Sequence, residues 1–255
     1  MNPVRNRDRM VVLAALAAVV ALAWAYLAYT VLAQPAMDMD AAAMAAMPAP
    51  AWNASYFAAT LAMWMVMMVG MMLPSAAPVL LLFDALELQG SPAGHAQGRT
   101  ALFAAGYVLA WSAFAMAATL AQWGLSGAML LSAMMTSTSS KLAGLLLVVA
   151  GIYQFSPWKT TCLNRCRAPA EFLAAHHRSG TLGPLSMGWR HGIQCIGCCW
   201  ALMALLFVFG VMNLLWVAAL AIFVLVEKLS PAGVFAGRVG AVLMLGAGVA
   251  LAMTG

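Results

Sequence analysis

The sequence predicts an all-α fold, a polytopic bundle of membrane-crossing helices, on three observations. Of its 255 residues, 65% are hydrophobic and only 7% are charged, whereas a soluble domain carries about a quarter charged residues. The apolar stretches are long and continuous, without the ten-residue alternation of an outer-membrane barrel. The cations gather in particular segments, so the net charge of +5 reports orientation rather than a nucleic-acid surface.

Each span follows from that pattern. Arg5, Arg7 and Arg9 precede an uncharged run from Met10 to Ala33. Val31-Leu32-Ala33 would suit a cleavage site, but the run exceeds the 7–15 residues of a signal-peptide core, which favours a retained first helix over 1–33 with its N-terminus inside. Residues 34–54 form a Met-rich outer linker, and 55–255 a polytopic domain. Its spans are expected near Tyr56–Phe83, Ala101–Gln122, Ser139–Phe155 and His191–Val211, then a short one ending at Val226, and Val239–Thr254. Pro74 and Pro78 imply a kink or break in the second. Residues 157–190 carry Lys159, Arg165, Arg167, Arg178 and Arg190 against one acid, Glu171, so this loop is expected on the cytoplasmic side. Met212-Asn213 is a turn in this scheme, and the total is seven spans. Reading 195–226 as one helix instead gives six.

Sulfur carries the candidate chemistry. All five cysteines fall in two groups, Cys162 with Cys166 and Cys195 with Cys198 and Cys199. On a helix, His191, Cys195, Cys198 and Cys199 share roughly a 100° arc. Thiolates paired two or three residues apart bind a soft or borderline ion, copper favoured and zinc the alternative, or cycle between dithiol and disulfide. A permanent disulfide is disfavoured on a cytoplasmic face. His191, one turn before Cys195, is either a further ligand or an interfacial imidazole touching headgroups. His176-His177 is either a nearby imidazole source or simply solvated.

The methionines are the second group. Met37, Met39, Met44 and Met47 lie in the linker, where burial gains them nothing, and thioethers suit Cu(I). They are candidates for outer metal collection, with an Ala/Met spacer as the plain alternative. Met63, Met67 and Met71 form a stripe that would line a membrane path with Glu227. Met65, Met68 and Met72 surround the stripe, which fits flexible core packing equally. Glu227 beside Lys228 is a functional candidate, with self-pairing at the interface as the plain alternative. Acids are few, seven in all, and no Gly-rich phosphate loop or Ser-His-Asp arrangement occurs. These features disfavour an enzyme and a nucleic-acid partner.

The motifs together are Met71-Met-Leu-Pro74-Ser75-Ala-Ala-Pro78, Tyr153-Gln-Phe-Ser-Pro157-Trp-Lys159 leading to Cys162-Leu-Asn-Arg-Cys166, His191-Gly-Ile-Gln-Cys195-Ile-Gly-Cys198-Cys199-Trp200-Ala-Leu-Met203, Gly210-Val-Met212-Asn213-Leu-Leu-Trp216 and Glu227-Lys228. In these the chain resembles the predicted metal-binding integral membrane proteins, a bacterial family of unknown function. The resemblance spans most of the chain after residue 55 and implies metal binding in a bacterial inner membrane. It implies no particular ion or activity. The expectation is a multi-pass protein of the lipid bilayer that binds a soft transition metal at a cytoplasmic-side cysteine cluster, for metal handling or transport. A membrane thiol–disulfide carrier and a non-catalytic assembly factor with a structural metal are the alternatives.

Overall fold

The computed structural model describes residues 3–32, 51–90, 92–128, 130–131, 139–178 and 180–254. The linker methionines Met37, Met39, Met44 and Met47 lie outside the described residues, as does most of the 34–54 linker. The helices in chain order are α1 (Pro3–Leu32), α2 (Ala54–Gly90), α3 (Ala93–Gly127), α4 (Ser140–Gln154), α5 (Pro157–Arg167), α6 (Pro169–His176), α7 (Gly183–Ala204), α8 (Leu206–Phe209), α9 (Leu214–Leu229) and α10 (Gly233–Thr254).

The expected seven spans do not form. Among the described residues five helices are long and apolar enough to cross a membrane: Arg9–Leu32, Ala54–Gln89, Gly94–Gly127, Gly183–Phe209 and Gly233–Met253. Counting α4 with α5 gives six. Two of the expected spans are too short by themselves, because crossing a hydrocarbon core takes about 20 helical residues. The first, α4, has 15 residues. It stops before Ser156-Pro157, where Ser156 Oγ accepts from Trp158 N at 3.2 Å and caps α5, with Pro157 in its first turn. The chain bends there by 63°. The second, α9, has 16 residues. It is cut off from α8 at Gly210, whose φ of +90° suits glycine best. That break also rules out one long helix over 195–226.

In contrast, α2 continues through both prolines for 37 residues. Pro74 has no N–H to offer the Gly70 carbonyl one turn back. Trp24 Nε1 of α1 donates to that carbonyl instead, at 3.3 Å. The Met72 carbonyl accepts from Ser75 Oγ at 2.8 Å and from the Tyr107 hydroxyl at 3.0 Å. Trp24 thus satisfies the carbonyl that Pro74 leaves without its helical donor.

The bundle is built on two close helix pairs, α3 with α7 and α4 with α10. A Cβ at Gly188 would overlap the Phe103 carbonyl, and one at Gly106 the Leu185 carbonyl. A Cβ at Gly144 would lie 2.7 Å from the Gly248 carbonyl, and the reverse distance is 2.8 Å. Small residues let these backbones touch. The core between α2, α3 and α7 holds Trp64, Met67, Met68, Met71, Met72, Phe103, Tyr107, Trp111, Leu202 and Met203. The surface is strongly apolar: Leu22, Tyr29, Leu215 and Phe235 are each at least 70% exposed. Charges collect at one end. There Arg9, Asp84 and Leu229 line one cavity, and Arg99 donates to Glu87 at 2.6 Å and to the Gly180 carbonyl at 3.1 Å.

Two stability tests follow. Gly188→Ala should destabilise the folded protein by about 1–3 kcal/mol, because the backbones of α3 and α7 must part; thermal unfolding in detergent measures this. Trp24→Phe keeps the aromatic packing but orphans the Gly70 carbonyl, and should cost about 1–3 kcal/mol in the same assay.

Candidate metal centre

Helix α7 presents its buried face as a column of His191, Cys195, Cys198 and Cys199, each no more than 2% exposed. The i, i+4, i+7, i+8 spacing produces that column as soon as the segment is helical. Both Cys198 Sγ and Cys199 Sγ donate to the Cys195 carbonyl at 3.0 Å. The Cys195 side chain is thereby left to face the neighbouring helices.

The bend at Ser156-Pro157 folds α5 back across α7. On α5, Cys166 meets the thiols of Cys195 and Cys198. Cys162, one turn earlier, lies over Gly197, where an added Cβ would sit 2.9 Å from its Sγ. The two cysteine groups, 29 residues apart between Cys166 and Cys195, are thus brought together. All five cysteines are free. Cys195, Cys198 and Cys199 are buried, whereas Cys162 and Cys166 are half-buried.

Polar anchors hold α5 in this place. The Tyr153 hydroxyl donates to the Gly197 carbonyl. Lys159 Nζ, almost wholly buried, donates to both Glu227 carboxylate oxygens, at 2.6 and 2.8 Å, and to Gln154 Oε1. Gln154 Nε2 reaches Glu227 Oε1 at 3.2 Å. Arg167 donates to the Ser230 carbonyl at 2.8 Å and the Glu227 carbonyl at 3.4 Å, so a cation closes the carbonyl end of α9.

Glu227 and Lys228 do not pair with each other, which corrects the plain sequence expectation. Consecutive helical residues point about 100° apart. Glu227 faces Lys159, while Lys228 Nζ donates to Cys195 Sγ at 2.8 Å and to Ser75 Oγ at 3.2 Å. The Tyr107 hydroxyl lies 3.0 Å from the same sulfur. Sequence reading missed Tyr107, Ser75, Lys159 and the role of Lys228. The last two carried a signal, as cations within or beside apolar segments. The first two carried none, since their roles depend on contacts 88 and 153 residues distant in the chain.

His191 is not an interfacial imidazole. It is 2% exposed and packs among Tyr107, Phe103 and Phe172, with ring centroids 5.7, 6.2 and 4.9 Å away. Its Nδ1 is buried with no hydrogen-bond partner among the described residues. His176 stacks on Phe172 at 4.7 Å, so it is not simply solvated, and the exposed His177 lines a cavity beside Glu87. Met63, Met67 and Met71 are buried in the core together with Met68 and Met72.

Among the described residues no group of three or more His, Cys, Asp or Glu side chains is arranged to hold a metal ion. A closed tetrahedral zinc site therefore has no support. The arrangement offers a few soft sulfurs from two helices, the donor type that Cu(I) prefers. No curated protein and no solved structure matches the chain. A family model does match, over residues 61–251, a range that takes in every cysteine, Tyr107 and Lys228. That family is PpoB2, described as copper chaperone, and the chain belongs to it.

Proposed function

We propose that this chain is a membrane-embedded copper chaperone of a bacterial inner membrane, holding Cu(I) between thiolates of α5 and α7. The observation that carries the reading is the meeting of Cys166 with Cys195 and Cys198 in the protein interior. Cu(I) is soft and accepts two or three sulfurs, so it does not need a preformed tetrahedral cage. Cys162 and Cys199 stand beside these three as exchange ligands. The unpartnered Nδ1 of His191 is a nitrogen donor available one turn away. The family description supports copper as cargo. Five long apolar helices support the bilayer as surroundings. Orientation follows from the cations: Arg7 and Arg9 lie in the first turns of α1, ahead of its apolar run, and the 157–190 segment is basic, so on this reading both lie on the cytoplasmic side. The linker methionines, Met37, Met39, Met44 and Met47, then face outward and collect copper as thioethers.

Changing Cys195 and Cys198 together to Ser replaces soft sulfur with hard hydroxyl. Copper content of the purified protein should fall from about one Cu(I) per chain to nearly none, while membrane insertion persists. Deleting residues 37–47 should spare that stoichiometry and weaken loading only at low external copper. Unchanged copper content in the Cys195/Cys198 variant, with a reversible dithiol–disulfide couple in the wild type, would replace this reading by thiol–disulfide exchange.

Reporter fusions after residues 45 and 175 test the orientation separately. They should report opposite faces of the membrane, and signals from one face would remove a crossing from the scheme.

A further inference from the structure

We propose that Lys228 makes the thiol cluster selective for a monovalent metal, by completing an electroneutral assembly of Cu(I), two thiolates and one ammonium. The inference rests on the copper reading above and adds the residue that would decide which ion the site accepts.

The geometry starts from a buried cation. Lys228 is 6% exposed, and a buried ammonium is costly unless a counter-charge and hydrogen bonds replace its water. The adjacent carboxylate does not serve, because both oxygens of Glu227 are engaged by Lys159. Lys228 Nζ instead lies 2.8 Å from Cys195 Sγ and 3.2 Å from the neutral Ser75 hydroxyl. The Tyr107 hydroxyl lies 3.0 Å from the same sulfur. The lysine is thus held against Cys195 of the cluster.

Charge counting then separates the ions. Two thiolates around Cu(I) carry one net negative charge, which the ammonium cancels. Two thiolates around Zn(II) are already neutral, so the same ammonium leaves a net positive charge in a poorly solvated interior. The repulsion between metal and ammonium also scales with the metal's charge. Thiolates by themselves bind both ions well, so the lysine supplies a discrimination that the sulfurs do not.

The test measures Cu(I) and Zn(II) affinities of the full chain in detergent or nanodiscs, by competition with chromogenic chelators under anaerobic reduction. Lys228→Met should lower the ratio of Cu(I) to Zn(II) affinity by about tenfold or more, and Lys228→Arg should keep it within about threefold. Ser75→Asp, which sets a carboxylate against an intact Lys228, should lower the ratio in the same direction. It decides the matter if Lys228→Met does not fold. A wild type that binds no Cu(I) would overturn the copper reading and this inference with it. A wild type that binds Cu(I), with the ratio unchanged in folded Lys228→Met or Ser75→Asp protein, would overturn the lysine's role alone.

Discussion

Two consecutive buried charges near the end of α9 constrain much of this structure. Glu227 and Lys228 are 2% and 6% exposed, and a desolvated charge must find a partner or cost several kcal/mol. Helical geometry turns them to different neighbours. Glu227 takes Lys159 and Gln154, which fixes the bend between α4 and α5. Lys228 takes Cys195 and Ser75, which ties α9 to α7 and α2. One dipeptide therefore sets the relative position of the two segments that bear cysteines. Arg167 strengthens the same junction from α5 by bonding the last carbonyls of α9.

The opposite wall of the cluster depends on glycine. Gly188 and Gly192 lie four residues apart on α7 and meet Phe103, Tyr107 and Ala110 of α3 at backbone distance. Only this close approach lets the Tyr107 hydroxyl reach both Cys195 and the Met72 carbonyl. The Met72 carbonyl lies two residues before Pro74 on α2. Packing and chemistry meet in the same few residues, so a change in the α3–α7 contact would be felt at the thiols.

Helical class and the buried sulfur face were legible in the sequence, because both rest on composition and on a 3.6-residue period. The confinement of the cysteines to two groups marked them as the candidate site. The span count was not legible, because hydropathy measures apolarity and not where a helix stops. Ser156-Pro157 and Gly210 shorten two apolar runs below crossing length, and only backbone geometry reveals by how much. At Pro74 and Pro78 a kink or break was expected, yet α2 runs on, and Trp24, a partner at long range, takes up the freed Gly70 carbonyl. The environment of His191 was hidden for the same reason, since Phe103, Tyr107 and Phe172 come from two other helices. The methionines of α2 remain compatible with packing, as their burial on several sides of the helix requires nothing more.

On the proposed reading, the asymmetry between the two cysteine-bearing helices explains how one site can both hold and release an ion. Helix α7 is long, central and buried, so its thiols are fixed. Helix α5 has 11 residues, follows a sharp bend and carries the half-buried Cys162 and Cys166. A donor or acceptor thiol approaching from outside meets the α5 sulfurs first, and a Cu(I) held by two or three sulfurs can change ligands one at a time without ever being free. A rigid four-thiolate cage would hold the ion more firmly and serve a chaperone less well.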